Sequence, residues 1–127
     1  MENSPPWFEG ARFNFAENLL RYRDDHIALI SAGEDSRVTR TTYAEMYEEV
    51  TLYAAAMRKC GLKKGDIVAG YMSNRKEAVF SMLGATSMGA IFTGALPQLG
   101  AQAVINRFKL VKPKILFTMD RYQHDKE

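Results

Sequence analysis

Cysteine is nearly missing from this chain: Cys60 is the only one in 127 residues. No internal disulfide can form, and no second thiol or nearby histidine gives Cys60 the spacing of a zinc site. A reducing compartment is the expected setting. A surplus of either charge is missing too. Seventeen basic residues face fifteen acidic ones, for a net charge of +2, which argues against a duplex-binding or membrane-seeking surface, so neither nucleic acid nor membrane is an expected partner. Long apolar runs are lacking: nothing approaches the ~20 residues that cross a bilayer. Residues 1–10 have neither the basic start nor the apolar stretch of a signal peptide, so a cytosolic, cytoplasmic location is expected. There is no repeat period and no low-complexity tract. What remains, 46% hydrophobic and 25% charged, is the composition of a globular domain with a single core.

The opening stretch MENSPPWFEGARF is rich in proline and glycine, with two aromatics near its middle, and is expected to be an extended arm laid on an apolar surface. Asn14 followed by Glu17 has capping-box character and starts a short helix through Leu20. HIALISA (26–32) and RVTRTT (37–42) flank a turn at Gly33-Glu34-Asp35, predicting a hairpin. Thr42 stands three residues before Glu45, a reciprocal cap. It opens a helix whose apolar positions Met46, Val50, Tyr53, Ala54 and Met57 share one face. Gly61 ends that helix, after Arg58 and Lys59 have placed positive charge at its negative end. The turn LKKGD (62–66) leads into IVAGYM (67–72), a run suited to a strand buried on both faces.

From here strand and helix alternate: a helix over 76–88, the strand AIFTG (90–94), a helix over 101–110 closed by Pro113, and the strand KILFTM (114–119). That order requires an α/β fold, with a parallel sheet and right-handed crossovers following the hairpin. The helix over 76–88 is apolar around most of its circumference, so it needs cover on both sides. If this chain is part of a larger body, that helix and the Trp7 arm should be left bare.

The polar knot MSNRKEAV (72–79) lies at the carboxyl end of the first parallel strand, where open α/β sheets place their ligands. The plainer expectation is that Asn74 caps the following helix by accepting from the amide of Glu77. Other polar features have plain accounts as well. His26 and His124 have no partner at a triad or metal spacing. Glu48 and Glu49 fall on an outer helix face, and Asp24-Asp25 is a solvated turn. Arg107, Lys109, Lys112 and Lys114 form a basic cluster with Phe108 as its only aromatic, too little for stacking on bases. GATSMGA (84–90) imitates a phosphate loop, but no Gly-Lys-Ser/Thr follows it, and close helix packing through small residues explains it better.

Three stretches together carry a resemblance: WFEGARFNFAENLLRYRDDHIALIS, TYAEMYEEVTLYAAAMRKCGLKKGDIVAGYMSN and LGAQAVINRFKLVKPKILFTMD. The chain resembles the acetoacetyl-CoA synthetases, within the adenylate-forming acyl-CoA synthetase superfamily, from Trp7 to about Lys126; ARFNFAENLL is the part most characteristic of that subfamily. The resemblance implies a partial N-terminal domain of an adenylate-forming enzyme, an N-terminal hairpin plus a parallel βαβαβ unit. It divides the chain into an arm and short helix at 1–20 and part of the AMP-dependent synthetase/ligase domain at 21–127.

For the parent enzyme the resemblance implies a small carboxylic acid as substrate, with ATP, magnesium and coenzyme A. The acid is first adenylated, and the thiol of coenzyme A then displaces AMP. The family's Thr/Ser/Gly-rich loop ending in Pro-Lys, its magnesium and ribose acids and its C-terminal lysine are not in this sequence. No catalytic residue is therefore assigned, and none of these cofactors is expected to bind the chain alone tightly. The match brings Gln123 and Lys126 to positions where related acetate-activating enzymes meet the phosphates of coenzyme A. Two departures stand out there: relatives carry a base near Gln123 and a glycine near Arg121. PQLG (97–100) and Phe92-Thr93 depart as well, from Ser-Pro-Asp-Phe-Gly and Trp-Ser. The alternative is a short non-catalytic binding or interaction module of the same lineage, pairing with a full-length relative.

Overall fold

In the computed structural model, which describes residues 7–33 and 37–121, the alternation becomes two sheets and four helices. Helix α1 (Phe15–Leu19) precedes the antiparallel hairpin β1 (Ile27–Ala32) and β2 (Val38–Thr42). Helix α2 (Tyr43–Lys59), β3 (Ile67–Tyr71), α3 (Lys76–Ser87), β4 (Ile91–Ala95), α4 (Gly100–Val111) and β5 (Ile115–Thr118) follow. The three later strands are parallel in the order β4-β3-β5, so the first in sequence is central. Its Val68 and Ala69 are fully buried, as its near-continuous apolar run requires.

Helix α2 starts where its sequence dictates. The Thr42 hydroxyl accepts from the Glu45 amide at 3.2 Å, and the Glu45 carboxylate accepts from the Thr42 amide at 2.8 Å. It ends in a Schellman motif: the Leu62 amide donates to the Met57 carbonyl and the Gly61 amide to that of Arg58. Gly61 sits at φ +78, a conformation that costs a residue with a Cβ free energy. Asp66 then fastens this turn to the sheet. Its carboxylate accepts from the Lys63 amide at 2.7 Å and from the Lys114 ammonium at 2.8 Å, and the same ammonium donates to the Gly61 carbonyl. The Lys114 bond, seconded by the Lys63 amide, holds the Asp66 pKa below its ordinary value.

Moving from β3 to β4 and then back across β3 to β5, right-handed crossovers put their helices on opposite faces. On one face Val68, Ala85, Ala90, Met57 and Leu62 form a cluster flanked by Phe92, Ile115 and Phe117. On the other, Val104 and Phe108 of α4 cover Ala69 and Ala95. A third cluster joins α1, α2 and α3 through Ala16, Leu20, Met46, Val50, Phe80 and Leu83.

Three expectations need correction. Helix α3 is not bare: no residue of it is exposed before Ser87, because α2, α1 and the sheet cover its apolar circumference from within the chain. The Trp7 side chain is exposed, at 82%, but residues 7–10 form a turn rather than an extended arm, with the Ala11 amide donating to the Phe8 carbonyl. Phe8 packs edge-on against Phe13 and tilted against Trp7. Finally, Asn74 does not cap α3. The Arg75 amide turns back to the Ser73 carbonyl at 2.9 Å, which moves the helix start one residue on. Arg75 is then the N-cap, with no side-chain capping bond. Glu34 and Asp35 of the expected hairpin turn lie outside the described residues.

One side chain works at two helix ends. Asn14 Oδ1 accepts from the Glu17 amide at the start of α1, while its Nδ2 donates to the Thr86 and Ser87 carbonyls at the end of α3. Asn14→Ala is expected to lower unfolding free energy by about 1–2 kcal/mol in urea titrations. Asn14→Asp should be no better, although aspartate caps as well as asparagine, because its charge would face the negative end of α3. Full recovery by aspartate would refute the bridging role.

Candidate functional site

Strand β3 leads off toward the β4 edge while β5 lies on its other flank, and this arrangement leaves a crevice between the carboxyl ends of β3 and β5. The crevice encloses about 240 Å³ and is lined by Tyr53, Met72, Arg75, Glu77, Phe117, Thr118, Met119 and Asp120. Each strand supplies its lining by running out of its ladder there, and α2 contributes Tyr53 from one side. Ser73 Oγ, donating to Met119 Sδ at 3.6 Å, joins the two strand exits. The knot at 72–79 thus does stand at the ligand-binding end of the sheet, through Met72, Arg75 and Glu77 rather than through Asn74.

The site's electrostatics are modest. The Arg75 guanidinium is taken up by Glu77 at 3.0 Å, with both side chains partly exposed. Tyr53 stacks on Phe117 with ring centroids 5.7 Å apart and meets Phe80 edge-on. Burial, then the negative charges of Glu77 and Glu49, raise its phenol pKa above the ordinary value, against an opposing effect of Arg75. Tyr53 is therefore a neutral donor at physiological pH. On the far side of β3, the Tyr71 hydroxyl donates to the Pro97 carbonyl at 3.2 Å, seating the turn Pro97–Leu99 over the end of β4.

These residues do not fit a nucleotide and its metal. Among the described residues no group of three His, Cys, Asp or Glu could hold an ion. The crevice's acids are Asp120 and a glutamate already paired to arginine. Gly84 serves packing instead, and Gly89, at φ +72 with its amide donating to the Thr86 carbonyl, ends α3. A Cβ on Gly84 would lie 2.7 Å from Met57 Cε and 3.2 Å from the Ala54 nitrogen, so the GATSMGA stretch is a close helix contact and not a phosphate cradle. Gln123, Lys126 and His124 lie outside the described residues. His26 pairs in the open with Asp24 at 3.2 Å. The sequence marks Tyr53 only as part of an apolar helix face and gives no sign that it meets Phe117 and Met119, because the crevice forms only when strands and a helix distant in sequence come together.

A parallel sheet with helices on both faces and a crevice at its strand ends defines an open α/β fold, the architecture that places its ligands at such ends. The chain belongs to the AMP-binding enzyme family, whose description matches residues 15–127. It is similar to acetoacetyl-CoA synthetase of Macaca fascicularis, 46% identical over 118 residues that make up 91% of this chain and 18% of the relative. It is also similar to malonamoyl-CoA synthetase of Penicillium aethiopicum, 38% identical over 90% of this chain and 17% of the relative. Among solved structures, acetoacetyl-CoA synthetase from Streptomyces lividans superposes with a TM-score of 0.88 at 38% identity, covering 94% of this chain and 19% of that one. The chain thus spans less than a fifth of the length of these relatives, and the matched part is the N-terminal region of adenylate-forming enzymes.

Proposed function

We propose that this chain is the early part of the N-terminal domain of an acetoacetate-CoA ligase, supplying scaffold and one wall of the ligand crevice to an enzyme that makes an acyl-adenylate and then an acyl-CoA. The observation that supports it most is 46% identity to an acetoacetyl-CoA synthetase over 91% of the chain, together with a sheet that superposes on the solved homologue. In the parent enzyme ATP and magnesium would serve adenylation and coenzyme A the thiol step, with Gln123 and Lys126 toward the coenzyme A phosphates. The cytosol is the proposed location; no helix among the described residues is long and apolar enough to cross a membrane.

The isolated chain is inert in this reading. Neutralising a reacting phosphoryl centre takes positioned cations or amides, and the described crevice offers only a guanidinium already engaged by a carboxylate. With acetoacetate, ATP and magnesium, the purified chain should give no ATP–diphosphate exchange above blank; exchange above blank refutes inertness. The parentage is tested by a chimera in which residues 15–127 replace the matching stretch of the Streptomyces lividans enzyme. It should activate acetoacetate within about tenfold of that enzyme, equivalent to about 1.4 kcal/mol in the barrier. In the same chimera Lys126→Ala should raise KM for coenzyme A and leave the exchange step unchanged. A folded chimera without exchange would overturn the assignment.

One observation favours the second reading, a self-standing interaction module paired with a full-length relative: no residue of α3 before Ser87 is left exposed. Cooperative unfolding of a monomer together with a dead chimera would select it.

A further inference from the structure

A second cleft, of about 400 Å³, shares no residue with the strand-end crevice and opens where the chain leaves α1, beside α2 and the end of α3. Glu17 of α1, Arg21 and Arg23 from the segment after it, and Tyr47 of α2 lie in its lining. Tyr43 and Tyr47 stand one turn apart on α2, and between them they steady both arginines. The Arg23 guanidinium lies over the Tyr47 ring, 3.8 Å from its centroid. That of Arg21 lies 4.7 Å over Tyr22, whose own ring meets Tyr43 edge-on at 6.1 Å. Among the described residues neither arginine has an ion-pair partner, Glu17 included. We propose that this cleft binds a small phosphate monoester with hydroxyl groups on its organic part. The site lies outside the proposed ligase role, and its test involves no acid activation.

Three features select that ligand. The first is preorganisation: a guanidinium held against a ring face keeps its planar N–H fork free, and little side-chain freedom is left to lose when an oxyanion arrives. The second is the number of forks. A single carboxylate has two oxygens, enough for one guanidinium, whereas a phosphate monoester has three terminal oxygens and a charge of about −1.5 to −2 at neutral pH, enough for both. The third is the rest of the cleft. Its volume falls within the range of about 300–1,000 Å³ usual for small-molecule sites, so the phosphate carries an organic part. Glu17, left without a cation, accepts from hydroxyls on that part and disfavours a second anion there.

Isothermal titration of the full chain with glycerol 3-phosphate at fixed ionic strength should show saturable one-site binding. Arg23→Lys keeps the charge but loses the planar fork and its stacking, and should weaken binding at least about tenfold, as should Arg21→Gln. Both arginines are exposed, so the unliganded variants should keep the melting transition of the unsubstituted chain. Glu17→Gln tests the other end of the ligand. It should tighten inorganic phosphate and cost glycerol 3-phosphate its advantage over that ion, which decides the matter even where an arginine variant unfolds. No saturation, equal binding of malonate, a dianion without hydroxyls, or folded arginine variants that bind as the unsubstituted chain does would overturn the proposal. So would a Glu17→Gln variant unchanged toward both phosphates.

Discussion

Phe80→Ala is expected to remove a large share of the chain's stability, about 3–5 kcal/mol against the roughly 5–15 kcal/mol that folds an ordinary domain. Phe80 is 2% exposed and stands where three helices meet, among Ala16, Leu20, Met46, Val50 and Leu83. Truncation there forfeits the transfer free energy of a ring and leaves a cavity. The ring's edge contact with Tyr53, centroids 6.0 Å apart, is also lost. Walls supplied by separate helices cannot collapse into the gap without dismantling their other contacts, which places the cost toward the upper end. The urea midpoint should fall accordingly, and Phe80→Leu should recover more than half of the loss. A change below about 1 kcal/mol would mean that these helices are not packed around this ring.

Gly84→Val is the second large effect, and it works by crowding. The Met57 methyl, 2.7 Å from where a Cβ would be, could swing aside, but the Ala54 nitrogen and the Tyr53 Cβ at 3.2 Å belong to the α2 rod itself. Two further methyls would force α2 and α3 apart, at about 3 kcal/mol or more. Gly84→Ala is a smaller test with opposing parts. Alanine gains about 1 kcal/mol of helix propensity and loses about 2 kcal/mol to the displaced neighbours, leaving a net destabilisation of about 1 kcal/mol. Equal or greater stability for the valine variant would show that the two helices are not in close contact at this point.

Much of this architecture is legible in the residue order, and the reason is local. The Thr42/Glu45 cap, the Met46, Val50, Met57 stripe and Gly61 all act within a few residues of themselves, so α2 has the start, buried face and ending that its sequence predicts. The strand-helix alternation likewise forced a parallel sheet. What sequence could not deliver depends on neighbours far along the chain. Asn14 caps α1 visibly, yet its bond to carbonyls 72 and 73 positions away has no local signature. Asn74 looks like a cap by composition, and only the backward turn of the Arg75 amide displaces it. Of the crevice, the Met72 to Glu77 wall could be placed from the strand end, whereas Tyr53, Phe117 and Met119 needed the finished sheet.

The strand order has a consequence for synthesis. Strand β3 lies between β4 and β5, both of which follow it in sequence. A nascent β3 leaving the ribosome therefore has neither lateral partner, and it gains its second only after Thr118 has cleared the exit tunnel. At about 5–20 residues per second that wait is on the order of seconds. During it the most deeply buried strand among the described residues has open edges, so the interval before β5 emerges is when this polypeptide most needs a chaperone.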